Sequence, residues 1–389
     1  MKIVIDFRKY DGVVGGVELG VIQVAKRASL KGHSIFVLPK ESRLEEVEKI
    51  FDGCPNVSCI PLPVESHVMS GRNARLDAGR IQDIAAEKGA DVIHFPYNWS
   101  FPTRKKAPTV LTIHDLIPLT FREAMDLLTN LFRYKPGMKK AARLNDKLAT
   151  VSEFSKGEIV KHLGVPPEKV SVIPNGLREL APHDPQLEAE LRARLDVPGR
   201  FILNVGGIHE RKNVPRLIHA FARLVRETSY PGKLVITGST SGAPYQEKMK
   251  RSCDAAVSET GMGDRVVFTG FIPDNELDTL FRVADLLVYP SLYEGFGIPV
   301  LEAMQAGLPV ITSNVTALPE TAGGAALLVD PRSVEDMTGA MKRLLEDADL
   351  REILRRKGLQ RASHFTWDRT TESYLELYSE LAGKKQSRQ

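Results

Sequence analysis

The sequence predicts an α/β protein made of two doubly wound domains in tandem, and three observations carry that reading. Short apolar runs rich in Val and Ile alternate with longer amphipathic stretches, the pattern of βαβ units on a parallel sheet. Runs such as Val92-Ile93-His94-Phe95 show little polar alternation, as expected of strands covered by helices on both faces. The alternation breaks at a polar stretch, Glu179 to Gly199, that carries Pro182, Pro185 and Pro198, and then begins again.

Taken in order, the first half gives strands at 2–7, 34–39, 57–62, 91–95, 109–114, 148–152 and 170–173, with amphipathic helices between most of them. Pro174-Asn175-Gly176 closes this series, and the polar stretch after it reads as an interdomain linker with some helix-forming residues. The second series has strands at 201–205, 233–237, 265–269, 285–289, 309–312 and 326–329. No repeat of solenoid period occurs, and the one biased segment is the polar tail Lys384 to Gln389. In open α/β sheets ligands bind beyond the carboxyl ends of the strands, so two such domains are expected to face each other across a ligand cleft.

Composition agrees with a soluble enzyme of this size. The 389 residues are 42% hydrophobic and 26% charged, which excludes a disordered, collagen-like or coiled-coil chain. The length suits two or three domains, each able to bury its own core. Three cysteines, Cys54, Cys59 and Cys253, form neither a disulfide framework nor a zinc-spaced cluster and read as reduced thiols. No run approaches the roughly 18 to 20 apolar residues that cross a bilayer, and Met1-Lys2 leads straight into Ile3-Val4-Ile5. A cytoplasmic protein without signal peptide or membrane span is expected. Charge is uneven: residues 1–178 hold 27 Lys and Arg against 20 Asp and Glu, the remainder 26 against 29. The first half therefore suits an anionic surface better than the second.

Three loops could carry chemistry. Gly12-Val13-Val14-Gly15-Gly16-Val17-Glu18 leaves the first strand and enters a helix, where glycines allow close backbone approach and unpaired N–H groups favour an anion. It is not a G-x-G-x-x-G fingerprint, and Pro39-Lys40 rather than an acid ends the second strand, which disfavours a dinucleotide; a turn that simply needs glycine is the alternative. Gly206-Gly207-Ile208-His209-Glu210-Arg211-Lys212-Asn213 has the same placement in the second series. Its two cations stand at a helix start, where they oppose the dipole, and a phosphate or diphosphate would compensate them; the alternative is a solvated charge pair. Glu294-Gly295-Phe296-Gly297-Ile298-Pro299-Val300-Leu301-Glu302 turns from a strand into a helix, with carboxylates suited to vicinal hydroxyls of a sugar or ribose.

Together these residues resemble a retaining glycosyltransferase of family 4, with the two-domain GT-B fold. The matching residues are Gly15-Gly16, the run Ile113-His114-Asp115-Leu116, Val172-Ile173-Pro174-Asn175-Gly176, the loop Gly206 to Asn213, and Glu294 to Glu302 as the family's E-x7-E motif. The resemblance extends from about residue 3 to residue 378 with the motifs in the family's order, and Phe365-Thr366-Trp367-Asp368 resembles the lead-in to its closing helix.

The resemblance implies an acceptor-side Rossmann-like domain at 1–178, a linker at 179–199, a nucleotide-sugar-binding domain at 200–365, and a helix at 366–389 that crosses back to the first domain. It implies that Arg211 and Lys212 hold the donor diphosphate with backbone N–H groups near Gly15 and Gly16, and that Glu294 binds hydroxyls of the transferred sugar. The backbone at Gly207, Phe296 and Gly297 would line the same donor, Glu302 would take the ribose hydroxyls, and the loop after Gly270 would lie near the base. His114 would stand beside the donor sugar as a catalytic residue. Fixed cations at the phosphate suffice for such a leaving group, so no metal and no cofactor are expected. The one D-x-D, Asp347-Ala348-Asp349, reads as a solvated turn.

On the acceptor side, Arg122 to Lys147 mixes Arg133, Lys135, Lys139, Lys140, Arg143 and Lys147 with Leu127, Leu128, Leu131, Phe132 and Tyr134. It suits peripheral contact with an anionic membrane and a lipid-linked acceptor, or equally a solvated helix pair. Arg104-Lys105-Lys106 is a shorter basic loop. Tyr97, Trp99 and Phe101 could stack on an acceptor sugar or sit in the core. The expected activity is hexosyl transfer from a nucleoside diphosphate sugar, mannose from GDP-mannose being the specific choice, to a glycan or lipid-linked glycan, as in polysaccharide or lipopolysaccharide synthesis. No nucleic-acid partner is expected. The alternatives are a nucleotide-sugar epimerase of the same fold and a binding protein without turnover.

Overall fold

The structure is a computed structural model describing residues 1–63, 71–121, 130–242 and 244–386. The chain forms two compact units. One holds Met1–Leu119 with the described residues of Leu127–Gly176 and Phe365–Gln389; the other holds Leu177–His364 with Thr120 and Phe121.

The first unit carries strands β1 (Lys2–Asp6), β2 (Ser34–Leu38), β3 (Val57–Cys59), β4 (Val92–Phe95), β5 (Thr109–Thr112), β6 (Lys147–Thr150) and β7 (Val170–Val172). They form one parallel sheet in the order β3-β2-β1-β4-β5-β6-β7. The second unit carries β8 (Phe201–Val205), β9 (Lys233–Thr237), β10 (Val266–Gly270), β11 (Leu286–Tyr289), β12 (Val310–Ser313) and β13 (Leu327–Val329). Its order, β10-β9-β8-β11-β12-β13, repeats the same winding. Each strand overlaps one expected from the apolar runs. The central strands β4, β5, β8, β11 and β12 are buried along their whole length, which is why they lack alternation.

Several helices start where a short polar side chain serves the first free N–H groups. Ser152 accepts from Ser155 N, and Asp184 from Gln186 N and Leu187 N. Asp347 of the D-x-D accepts from Leu350 N at 2.8 Å, so that motif is a helix cap. The stretch read as a linker is ordered within the second unit. Asp184 and Pro185 start the helix Pro185–Arg194, which packs on the helix Asp274–Val283 and pairs Arg194 with Glu276.

The last helix, Trp367–Gln386, belongs to the first unit and packs along the helix Gly16–Leu30. Tyr374, Leu377, Tyr378 and Leu381 join the core of Ile3, Ile5, Val21 and Ala25. Gly176 makes this possible, since a Cβ there would lie 2.4 Å from Trp367 N. Behind it, His94 on β4 bonds Thr112 through Nε2 and Tyr378 through Nδ1, both at 2.8 Å, and Thr112 bonds Tyr374 at 3.0 Å. Burial lowers the His94 pKa to about 3, so the ring is neutral and can donate at one nitrogen and accept at the other.

Candidate functional site

Where strand order reverses, an open α/β sheet leaves a crevice at the carboxyl ends of two neighbouring strands. In the second unit the reversal lies between β8 and β11. The loop leaving β8 begins at Gly206, whose φ of +112° disfavours a side chain, and a Cβ there would lie 2.9 Å from Lys212 Nζ. Glycine thus lets the loop fold its own lysine back over its start. Gly207, with φ +72°, donates its N–H to Thr237 O. Asn213, at φ 62°, donates Nδ2 to the carbonyls of Pro290 and Pro331 and so ties this loop to those leaving β11 and β13.

The tie brings three predicted residues together. Lys212 Nζ donates to Glu294 Oε1 at 2.8 Å and Arg211 Nη1 to the same oxygen at 2.7 Å. Tyr289, the last residue of β11, donates its hydroxyl to that oxygen at 3.0 Å and accepts from Lys212. Lys212 and Glu294 are only 5% and 8% exposed. Burial pushes the Glu294 carboxyl up, but Lys212 and Arg211 outweigh it and hold the group below the usual carboxylate range. The result is an ionised carboxylate fixed by two cations, able to accept hydroxyl hydrogens from a ligand. Sequence reasoning missed Tyr289, although its place as the last strand residue before Pro290 marks it as a side chain at the crevice.

Beyond Glu294 the chain passes buried Phe296 and turns at Gly297, φ +103°, into the helix Ile298–Gln305. Glu302 on this helix faces Arg178, whose Nε donates to Glu302 Oε1 at 3.1 Å and whose Nη1 donates to Asp278 Oδ2 at 2.8 Å. Burial raises the Glu302 carboxyl above its ordinary value, with Arg178 opposing and Asp278 and Asp274 adding. Phe271, just past Gly270, is 83% exposed.

In the first unit the reversal lies between β1 and β4. Gly15 precedes the helix that Gly16 opens, but the Gly15 N–H is taken by Glu18 Oε2 at 3.2 Å, three residues on, in the spacing of a capping box. Tyr97 donates its hydroxyl to Glu18 Oε1 at 3.0 Å. Here the structure corrects the stacking expectation. Tyr97 and Trp99 are buried at 8% and 5% exposure, and Trp99 packs edge-on against Tyr134 and Phe101, so neither aromatic face is open to a sugar. Phe101 is half-buried, with Lys140 over its ring. Beneath the loop, Arg8 pairs with Asp6 at 3.1 Å and with Asp77, all three fully buried.

His114 lies just past β5, half-buried, with Nε2 3.3 Å from Pro96 O. Burial lowers its pKa, so the ring is neutral near pH 7. With His94, Thr112 and Asn175 it lines a cavity of about 20 Å³, room for one water. Of the basic stretch, residues 122–129 lie outside the described residues. The helix Lys135–Leu144 buries Met138, Ala141 and Ala142, while Phe132, Arg133, Lys140 and Arg143 are exposed. Lys105 and Lys106 pair with Asp146 and Asp83. Among the described residues no three His, Cys, Asp or Glu side chains are grouped to hold a metal ion, and no helix is long and apolar enough to cross a membrane.

Comparison with known proteins identifies the family and the fold. Residues 14–178 match Glycosyltransferase Family 4 and residues 189–361 match Glycosyl transferases group 1. The chain is 30% identical over 328 residues to the O-antigen chain mannosyltransferase B of Escherichia coli, covering 82% of this chain and 81% of that one. It is 30% identical over 283 residues to the serotype-specific mannosyltransferase WbdA of the same species, covering 72% of this chain and 34% of that longer protein. Among solved structures, Anabaena HepE in complex with UDP and glucose superposes with a TM-score of 0.75 at 20% identity, over 98% of this chain and 100% of that one. The two doubly wound units are those of the GT-B fold, and the chain belongs to glycosyltransferase family 4.

Proposed function

We propose that the protein moves a hexose, specifically mannose from GDP-mannose, to a hydroxyl of a glycan or lipid-linked glycan, with retention and without a metal. The observation that carries this is the convergence of Arg211, Lys212 and Tyr289 on Glu294 Oε1 at the strand-order reversal of the second unit. The mannosyl and O-antigen activities named for its relatives support the choice of sugar and acceptor.

The chemistry follows from charge. The bond between the anomeric carbon and the diphosphate oxygen breaks, the acceptor oxygen bonds that carbon, and the acceptor proton leaves with the diphosphate. Positive charge grows on the sugar and negative charge on the leaving group, so Arg211 and Lys212 stabilise the transition state more than the ground state. Glu294, kept ionised by the same cations, accepts from hydroxyls of the sugar, and Glu302 from those of ribose. A neutral His114 would serve the donor sugar as a hydrogen-bonding group. Phe132, Arg133, Lys140 and Arg143 offer an anionic membrane an apolar and basic face.

The test is transfer from GDP-mannose, UDP-glucose and related donors to a glycan acceptor, with and without EDTA, by the unaltered protein and by Lys212→Ala and Glu294→Ala. Loss of transfer in both variants with thermal stability retained supports the assignment. Full activity in either one refutes it, and loss of activity in EDTA refutes metal independence.

A further inference from the structure

Glu302 is nine-tenths buried on the helix Ile298–Gln305, and two more carboxylates, Asp274 and Asp278, lie close enough to raise its pKa. A buried carboxylate in that company needs a cation to stay ionised. Among the described residues that cation is Arg178, two residues past Gly176, where the chain enters the second unit. Its guanidinium spans two helices, giving Nε to Glu302 Oε1 at 3.1 Å and Nη1 to Asp278 Oδ2 at 2.8 Å, with Asp274 at 3.7 Å. The arginine is anchored in turn: Gln305, one turn beyond Glu302, donates to its carbonyl at 3.1 Å, and Ala181 N donates to Asp278 at 2.8 Å. Arg178 occupies one oxygen of Glu302, and no donor among the described residues reaches the other.

We propose that Arg178 is a positioning residue for nucleotide recognition, holding Glu302 by one oxygen so that the other receives the ribose hydroxyls of the donor. This rests on the assignment of Glu302 to ribose. A planar, permanently charged fork suits the task, because it satisfies two carboxylates at once in a fixed geometry. The consequence is specificity: a site whose buried carboxylate awaits a hydroxyl penalises a ligand that lacks it.

The experiment measures, by calorimetry on the full chain, affinity for GDP, UDP and ADP against their 2′-deoxy counterparts. The unaltered protein should prefer the ribonucleotide it binds best by about 10-fold or more, the worth of a hydrogen bond to a charged group. Glu302→Gln should abolish the preference. If it does not, the assignment of Glu302 fails and the proposal with it. Arg178→Ala should shrink the preference to within about 2-fold while the protein still binds inorganic pyrophosphate. Should Arg178→Ala fail to fold, Arg178→Gln combined with Asp278→Asn removes one charge of each sign and carries the same expectation. A preference lost in Glu302→Gln but intact in the folded Arg178 variants overturns the proposal and leaves the ribose assignment standing. Binding of none of the three nucleotides by the unaltered protein overturns both.

Discussion

The two sheets are wound alike, yet the charges at their strand-order reversals are arranged for different ends. In the first unit Arg8 lies between Asp6 and Asp77, all fully buried, and Glu18 caps its own helix while receiving Tyr97. In the second, two cations from one loop share a single oxygen of Glu294, itself on another loop. The first arrangement closes on groups of its own fold and fixes a loop. The second joins residues 82 and 83 positions apart at a crevice where a phosphate and a sugar could exchange partners with them. On the proposed function, the same fold uses ions for rigidity in one unit and for chemistry in the other.

Breaking the first arrangement should cost the most. Arg8→Ala leaves Asp6 and Asp77 buried without their cation, and removal of one partner from a buried pair costs about 3–5 kcal/mol. Chemical denaturation should report a loss of that size. A loss under about 1 kcal/mol would mean that water reaches the cluster.

In the second unit the large effect should fall on rate. On the proposed function, Lys212→Ala takes from the developing diphosphate one of two fixed cations, and such a contact is worth a factor of about 10² to 10³ in turnover. Arg211 still pairs with Glu294, so the melting temperature should move little by comparison. A variant that loses more stability than rate would place Lys212 with Arg8 as a structural ion.

This contrast explains what was legible in the sequence. All thirteen strands among the described residues were, because a parallel sheet covered on both faces writes itself as short Val- and Ile-rich runs. The loops at Gly206 and Glu294 were, because glycine next to charge at a strand end is a local pattern. What was not legible depended on partners far along the chain. Arg178 meets Asp278 and Glu302 across 100 and 124 positions, and Tyr374 and Tyr378 reach Thr112 and His94 from the last helix. Tyr97 and Trp99 stay open between a stacking and a core role in the sequence, because an aromatic beside a strand end looks the same whether it faces a ligand or a core. The stretch after Glu179 reads as a linker because its prolines are visible in the sequence, while the pairing of Arg194 with Glu276 is not.

Acid should separate the two units. The His94 pKa is about 3 in the folded protein against an ordinary 6.5, so the unfolded chain takes up the proton first. The stability that His94 contributes is therefore whole above pH 6.5 and is lost as pH falls from there towards 3. The pairing of Glu294 persists to lower pH, because its carboxyl lies below the ordinary value and its contribution fades only beneath that value. Asp77, raised by burial to about 6, gives the opposite slope in the first unit, so the readout is the difference between the protein and His94→Gln. That difference should shrink between pH 7 and pH 4. Tyr378→Phe, which leaves one His94 nitrogen without a partner, should cost about 1–3 kcal/mol at neutral pH.

The smallest effect tests the cap. Tyr97→Phe removes one of two hydrogen bonds on the Glu18 carboxylate and keeps the aromatic volume, which predicts a loss of about 0.5–1.5 kcal/mol. If the first reversal is built for rigidity, kcat should stay within about 2-fold, since Glu18 still holds the Gly15 amide. If instead Tyr97 meets an acceptor, the KM for acceptor should rise while the KM for donor does not. A change in acceptor KM alone, at unchanged stability, would end the division drawn between the two units and move Tyr97 back into the binding surface.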